Sequence, residues 1–169
     1  MDLPPNQTAL VAPATAPLFV LLGVGVQNYT CSGTTFASIG AVASLFDISC
    51  LARTSQFATI QTTAFRIWDR LHYFVTSPSG TGISPKWDFT STGKFAGNST
   101  AFFIGTKVGD ILAPTNPATN IDWLQLARVE GDLASQIFRI DTVNGQPPTS
   151  CAPGSPPISV KYTSKYYLF

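Results

Sequence analysis

The chain has 169 residues, 44% hydrophobic and 11% charged, with a formal net charge of +1. That length suits one domain able to bury its own core, and the apolar content excludes a disordered chain. The few charges form no basic stripe, which excludes a nucleic-acid footprint and a polybasic membrane patch.

Residues 1–17 read as an extended arm punctuated by Pro4, Pro5, Pro13 and Pro17. Asp2 stands where a signal peptide would carry basic residues, so no leader is read at this end of the chain. The β domain is expected over residues 18–169. Residues 18–31 are apolar and β-branched, and the apolar run within them, 18–26, is too short to span a bilayer. Gly23 and Gly25 interrupt them, which suggests a bulge or a close backbone approach. Residues 41–50 form a second candidate strand. Residues 58–67 alternate weakly, and a short helix competes there.

Residues 71–75 read as a strand, and 77–85 as a Gly/Ser/Pro loop. A short strand at 86–90 and a longer one at 101–108 follow, then a loop at 113–120. Residues 121–129 are ambiguous: Trp123, Leu124, Leu126 and Ala127 fit a helical stripe, whereas Ile121, Trp123 and Val129 fit strand alternation. Residues 136–142 read as a strand, and Asn144–Gly145 is a strong turn signal. A proline-rich link over 147–157 leads to the last strand. There Ile158, Val160, Tyr162, Tyr166 and Leu168 share one face, and Lys161, Thr163 and Lys165 the other, the pattern of a sheet with one wet face. Strands spaced by turn signals predict an all-β antiparallel sandwich or closed barrel with little helix.

Catalytic groups are scarce. His72 is the one histidine and Glu130 the one glutamate, whereas catalysis draws on convergent titratable groups. No G-x-S-x-G elbow occurs, so a hydrolase built on His72 is the third-ranked reading. No C-x-x-C or H-x-x-x-H spacing marks a metal site. Asp110, Asp122, Glu130, Asp132 and Asp141 lack EF-hand spacing and read as solvated acids, so no metal is expected. The run VLLGVGVQNYT looks like the entry to a dinucleotide-binding turn. That fingerprint needs a third glycine, where Asn28 stands, and a following helix, where β-prone residues stand; no nicotinamide cofactor is expected. Sequons occur at Asn6, Asn28 and Asn98.

Several segments together resemble the DUF3455 family of small fungal and bacterial proteins: GVGVQNYTC (23–31), GAVASLFDISCL (40–51), HYF (72–74), AP…NIDWLQL (113–126), FRIDTVNGQPPTSC (138–151) and VKYTSKYYLF (160–169). They occur in the family's order across about five-sixths of the chain. The resemblance implies a single all-β domain, often secreted, with no established reaction. Relatives are sometimes labelled malate dehydrogenase, and the failed dinucleotide fingerprint argues against that label here. The resemblance also favours a Cys31–Cys151 disulfide, since both cysteines lie in its most widespread motifs. Cys50 would then be a small buried hydrophobe. A Cys31–Cys50 bridge is the rival, and in a cytosolic protein all three would stay reduced.

Three Trp, five Tyr and twelve Phe are the best functional lead. The leading expectation is non-catalytic binding of a small apolar or aromatic ligand, such as a pigment or secondary metabolite. Its site would be a largely apolar cavity of about 300 Å³ or more. Trp87 and Trp123 are the candidate walls, with His72 or Tyr73 as polar handle. The alternative is a structural, defence-related or cell-wall carbohydrate-binding protein. The partner is thus a small molecule, with no nucleic acid and no membrane span. The sequons and the resemblance favour an extracellular or cell-wall location over the cytoplasm.

Overall fold

The computed structural model describes residues 1–68 and 85–169. Its strands are β1 (Phe19–Ser32), β2 (Thr35–Asp47), β3 (Lys86–Asp88), β4 (Phe102–Ile111), β5 (Trp123–Glu130), β6 (Gln136–Asn144) and β7 (Ile158–Leu168), and among the described residues the helix α1 (Ile60–Arg66) lies between β2 and β3. They form one seven-stranded sheet in the order β2-β1-β7-β6-β5-β4-β3, and every ladder is antiparallel. The fold is all-β with little helix, in the form of a curled half-barrel.

The curl is visible in ring contacts. Trp87 on β3 and Tyr166 on β7 lie four strands apart in the sheet order, a separation of about 19 Å in a flat sheet. Their ring centroids are 5.5 Å apart. Phe19 on β1 meets Phe89 and Phe95, which follow β3, at 5.9 and 5.8 Å. The sheet therefore wraps so that its two ends approach across an interior.

Strand alternation sorts the core into two clusters on opposite faces. The concave cluster holds Leu21, Trp87, Phe103, Leu126, Ile137, Tyr162, Tyr166 and Leu168. The convex cluster holds Val20, Leu22, Val24, Trp123, Phe138, Ile140 and Tyr167. Both faces of β1 carry apolar residues and the second half of β7 is buried on both faces, because these strands are covered on both sides. The convex face is roofed by α1, whose Ala64 and Gln61 are buried, and by the N-terminal arm, whose Leu10 is buried with Met1 and Leu3 packed nearby. The arm is tied down where the Val11 N–H donates to Gln125 Oε1 at 2.9 Å.

Several local expectations resolve. Residues 58–67 yield the short helix α1, and 121–129 yield strand β5, because Trp123 and Leu126 serve opposite faces of a covered sheet. Gly23 and Gly25 are sites of close approach: a Cβ at Gly25 would sit 1.9 Å from the Val42 carbonyl, and one at Gly23 would meet the Tyr166 ring. The β1–β2 bulge lies farther along, at Asn28/Tyr29. Asn144 and Gly145 both have positive φ, 61° and 103°, as the turn signal implies. The expected strand over 71–75 lies outside the described residues.

The wet face assigned to the last strand is corrected. Lys161 is exposed, but Thr163 and Lys165 are buried, at 0% and 2% exposure. Alternation treats lysine as a marker of solvent. Here the convex face of β7 is roofed, and the Lys165 ammonium pairs with Asp141 at 2.9 Å and lies 4.3 Å over the Phe57 ring.

Candidate functional site

At the end of β1 remote from Phe19 the interior opens into a cleft of about 340 Å³. Gln27 and Tyr29 of β1, Phe36 and Ser38 of β2, Lys107 and Asp110 of β4, Leu124 of β5 and Arg139 of β6 contribute to its walls. Ile121, Asp122, Gln146 and Pro147 come from the loops flanking β5 and β6. The apolar interior thus gives way to a polar mouth.

Two bulges set this lining. On β4 the register shifts between Lys107, opposite Leu126, and Gly109, opposite Gln125, so that Asp110 comes to lie opposite Leu124. Leu124 and Leu126 share a face. Lys107 and Asp110, which plain alternation would send to opposite faces, therefore both enter the cleft, where they form an ion pair. On β2 the extra residue Ile39 places Ser38 opposite Tyr29, which brings Ser38 and Phe36 to the concave side.

The polar groups are largely held. The Tyr29 hydroxyl donates to the Gly145 carbonyl at 2.7 Å, which fixes its ring as a wall. Arg139 donates through Nε and Nη2 to the Asp122 carbonyl at 3.2 and 3.0 Å. Gln146 Nε2 lies 3.4 Å from Asp122 Oδ1. Burial pushes the Asp122 carboxyl above its ordinary value, outweighing the guanidinium of Arg139. Burial likewise raises the Tyr29 phenol, against the pull of Arg139.

Gln27 is turned inward. It is 5% exposed, and its side-chain hydrogen bond to the Tyr162 hydroxyl opposes the rise that burial imposes on that phenol. The Tyr162 hydroxyl is also hydrogen-bonded to that of Tyr166 at 2.8 Å.

The expected aromatic walls lie elsewhere. Trp87 is buried in the concave core, edge-on to Phe103 and Tyr166, below the cleft lining. Trp123 is buried on the convex face. The strand between them in order, β4, separates β3 from β5, and alternation gives the two rings opposite faces, so one cavity cannot take both. His72 and Tyr73 lie outside the described residues. This cleft is mixed in character, because charged and amide side chains occupy the strand ends that line it. Signals for this existed in the sequence: Gln27, Lys107 and Arg139 each place a polar side chain in an otherwise β-prone run.

Cys31 and Cys151 form a disulfide spanning 120 residues, with Cα atoms 6.0 Å apart. Cys50 is exposed in the 3₁₀ turn Ser49–Leu51, not buried as expected; the turn lifts it off the sheet. Asn6 and Asn98 are exposed, whereas Asn28 is half-buried within β1 and accepts from the Ser159 hydroxyl at 2.7 Å. Of the acids considered as metal ligands, Asp110 and Asp122 line the cleft, Asp132 pairs with Arg128 and Asp141 with Lys165. Among the described residues no cluster of three or more metal-ligating side chains occurs.

The family model described as "Protein of unknown function (DUF3455)" matches residues 12–169. The chain belongs to the DUF3455 family. No curated protein and no solved structure matches it. In this DUF3455 member the glycines that resemble a dinucleotide turn lie in the middle of β1, which runs on unbroken to Ser32, with no helix at which a pyrophosphate would sit.

Proposed function

We propose that this DUF3455 protein binds a small organic molecule without transforming it, in the cleft at the open end of the half-barrel. The observation that carries the reading is the cleft itself, a concave site of about 340 Å³ where Arg139 and Asp122 stand beside the Tyr29 and Phe36 rings. The volume lies at the lower end of the ~300–1,000 Å³ usual for ligand sites. The mixed lining favours a ligand that presents polar groups around a compact body over a wholly apolar pigment. The charged groups are tied to one another or to backbone, an arrangement that positions rather than exchanges protons.

Native mass spectrometry of protein purified from its source tests this. The expected result is a non-covalent adduct of small mass that dissociates on activation and is lost from the Arg139→Ala variant. A ligand held at a hundred times its Kd would add about 2.7 kcal/mol of stability, a rise in Tm of about 5–10 °C for a chain of this size. Bare protein, together with no stabilising compound in a thermal-shift library, would end the binding reading.

A further inference from the structure

Resting on the small-molecule reading, we infer that the cleft is built for a neutral polyhydroxylated ring, a sugar residue, with Arg139, Asp122 and Asp110 as its hydrogen-bonding set and Tyr29 and Phe36 as its ring walls.

Charge is the first argument. The ionised groups of the lining are Lys107 and Arg139 against Asp110 and Asp122, which cancel. Lys107 is neutralised by Asp110, so no net field selects an anion or a cation. A charged ligand would have to break that pair or leave its own charge uncompensated, at a cost that rises as water is excluded.

Donor and acceptor supply is the second. Two of the Arg139 nitrogens are committed to the Asp122 carbonyl; a guanidinium carries five N–H groups, so further donors remain. Acceptors come from the carboxylates of Asp122 and Asp110. A wall that offers donors and acceptors side by side matches a group that is both, and the hydroxyl is that group. A pigment or hydrocarbon would cover these groups and return nothing, at about 1–3 kcal/mol for each one left unpaired.

The apolar part of the lining is the third. Tyr29 is buried and its hydroxyl is spent on Gly145, so what it offers the cleft is ring surface held at a fixed angle. Phe36 is half-buried on the neighbouring strand. Aromatic surface beside a few directional polar groups is the make-up of small-molecule sites, and a sugar ring has C–H faces for the first and hydroxyl edges for the second. The small volume suits one or two rings rather than an extended chain.

Titration calorimetry of the full chain tests the inference with methyl glycosides and disaccharides of glucose, galactose, mannose, xylose and N-acetylglucosamine. Glucuronic acid and the neutral apolar dye Nile red serve as contrasts. At least one neutral sugar is expected to bind, with glucuronic acid and Nile red at least tenfold weaker. Arg139→Met should weaken sugar binding at least tenfold, since it removes the donors left over from the Asp122 carbonyl. Phe36→Ala, at a half-buried position, should weaken it as well. Binding of glucuronic acid in preference to its neutral parent would overturn the neutral-ligand assignment. Nile red binding, or a source-derived apolar adduct lost from Arg139→Met, with no sugar bound, would overturn the sugar assignment and leave the small-molecule reading intact. No binding of any probe, with bare source-purified protein, would overturn both.

Discussion

Lys165 stands where alternation along β7 would put it in water, yet its side chain is 3% exposed. Its aliphatic stem packs in the convex layer beneath Phe57, and its ammonium reaches Asp141. Asp141 can present its carboxylate there because it has φ 52° at the point where the β6–β7 register shifts between Ile140 and Val143. Aspartate and asparagine tolerate that region better than most residues. Such a pair contributes little net stability, but removing one partner strands a buried charge. Asp141→Asn keeps the backbone preference and strands the lysine; it should cost about 3 kcal/mol. Lys165→Met, which removes the charge and keeps the stem, should stay within about 1 kcal/mol of the parent. Urea unfolding of both variants reads the difference, and equal losses would show that Lys165 is not held as an ion pair.

At the level of elements, β1 is the strand on which the architecture turns. It pairs with β2 on one side and β7 on the other, and its glycines admit neighbours that no side chain would. At Gly25 the obstacle to a Cβ is backbone, the Val42 carbonyl, with Ala43 close behind; at Gly23 it is the edge of the Tyr166 ring. A ring can shift by rotating about its side-chain bonds, whereas a backbone carbonyl moves only with its strand. Gly25→Ala should therefore destabilise by at least about 3 kcal/mol, at or above the top of the range for overpacking, and Gly23→Ala by about 1–3 kcal/mol. Chemical denaturation gives both values, and the reverse order would mean that β2 yields more readily than the tyrosine layer. The same strand carries the site: Gln27 and Tyr29 follow the glycines on the concave face, and the bulge opposite Tyr29 turns Ser38 toward them.

For the molecule as a whole, the disulfide links the far end of β1 to the proline-rich segment before β7. It closes a loop of 120 residues, worth on the order of 4–5 kcal/mol in the chain-entropy model. The Cys151 N–H also donates to the Thr34 carbonyl at the β1–β2 turn, at 2.9 Å. The segment so anchored begins with Gln146 and Pro147, which wall the cleft. The double variant Cys31→Ser, Cys151→Ser should lose about 4 kcal/mol in urea unfolding while keeping its strand-dominated circular dichroism. An unchanged midpoint would mean that the loop is already closed by the sheet and by the Tyr29 hydroxyl on Gly145.

The sequence by itself determined the class of fold and most of its strands. Breaker-bounded apolar runs leave few alternatives, and the positive φ of Asn144 and Gly145 follows from residue chemistry alone. It also determined what the glycines of β1 are not, since β-prone residues follow where a phosphate-binding turn needs a helix. The family motifs carried the Cys31–Cys151 pairing, which no local pattern specifies. Only the tertiary structure decided the rest. Whether residues 121–129 were helix or strand turned on which neighbours would cover each face. The burial of Lys165 depended on a roof built from α1 and the arm, far away in sequence. Trp87 and Trp123, alike on the page, went to opposite faces of one sheet. The cleft is a product of curl and of two bulges, which bring Gln27, Asp110 and Arg139 together from three strands. Register shifts of one residue reverse which face a side chain occupies, and such shifts are fixed by pairing partners that a linear sequence does not display.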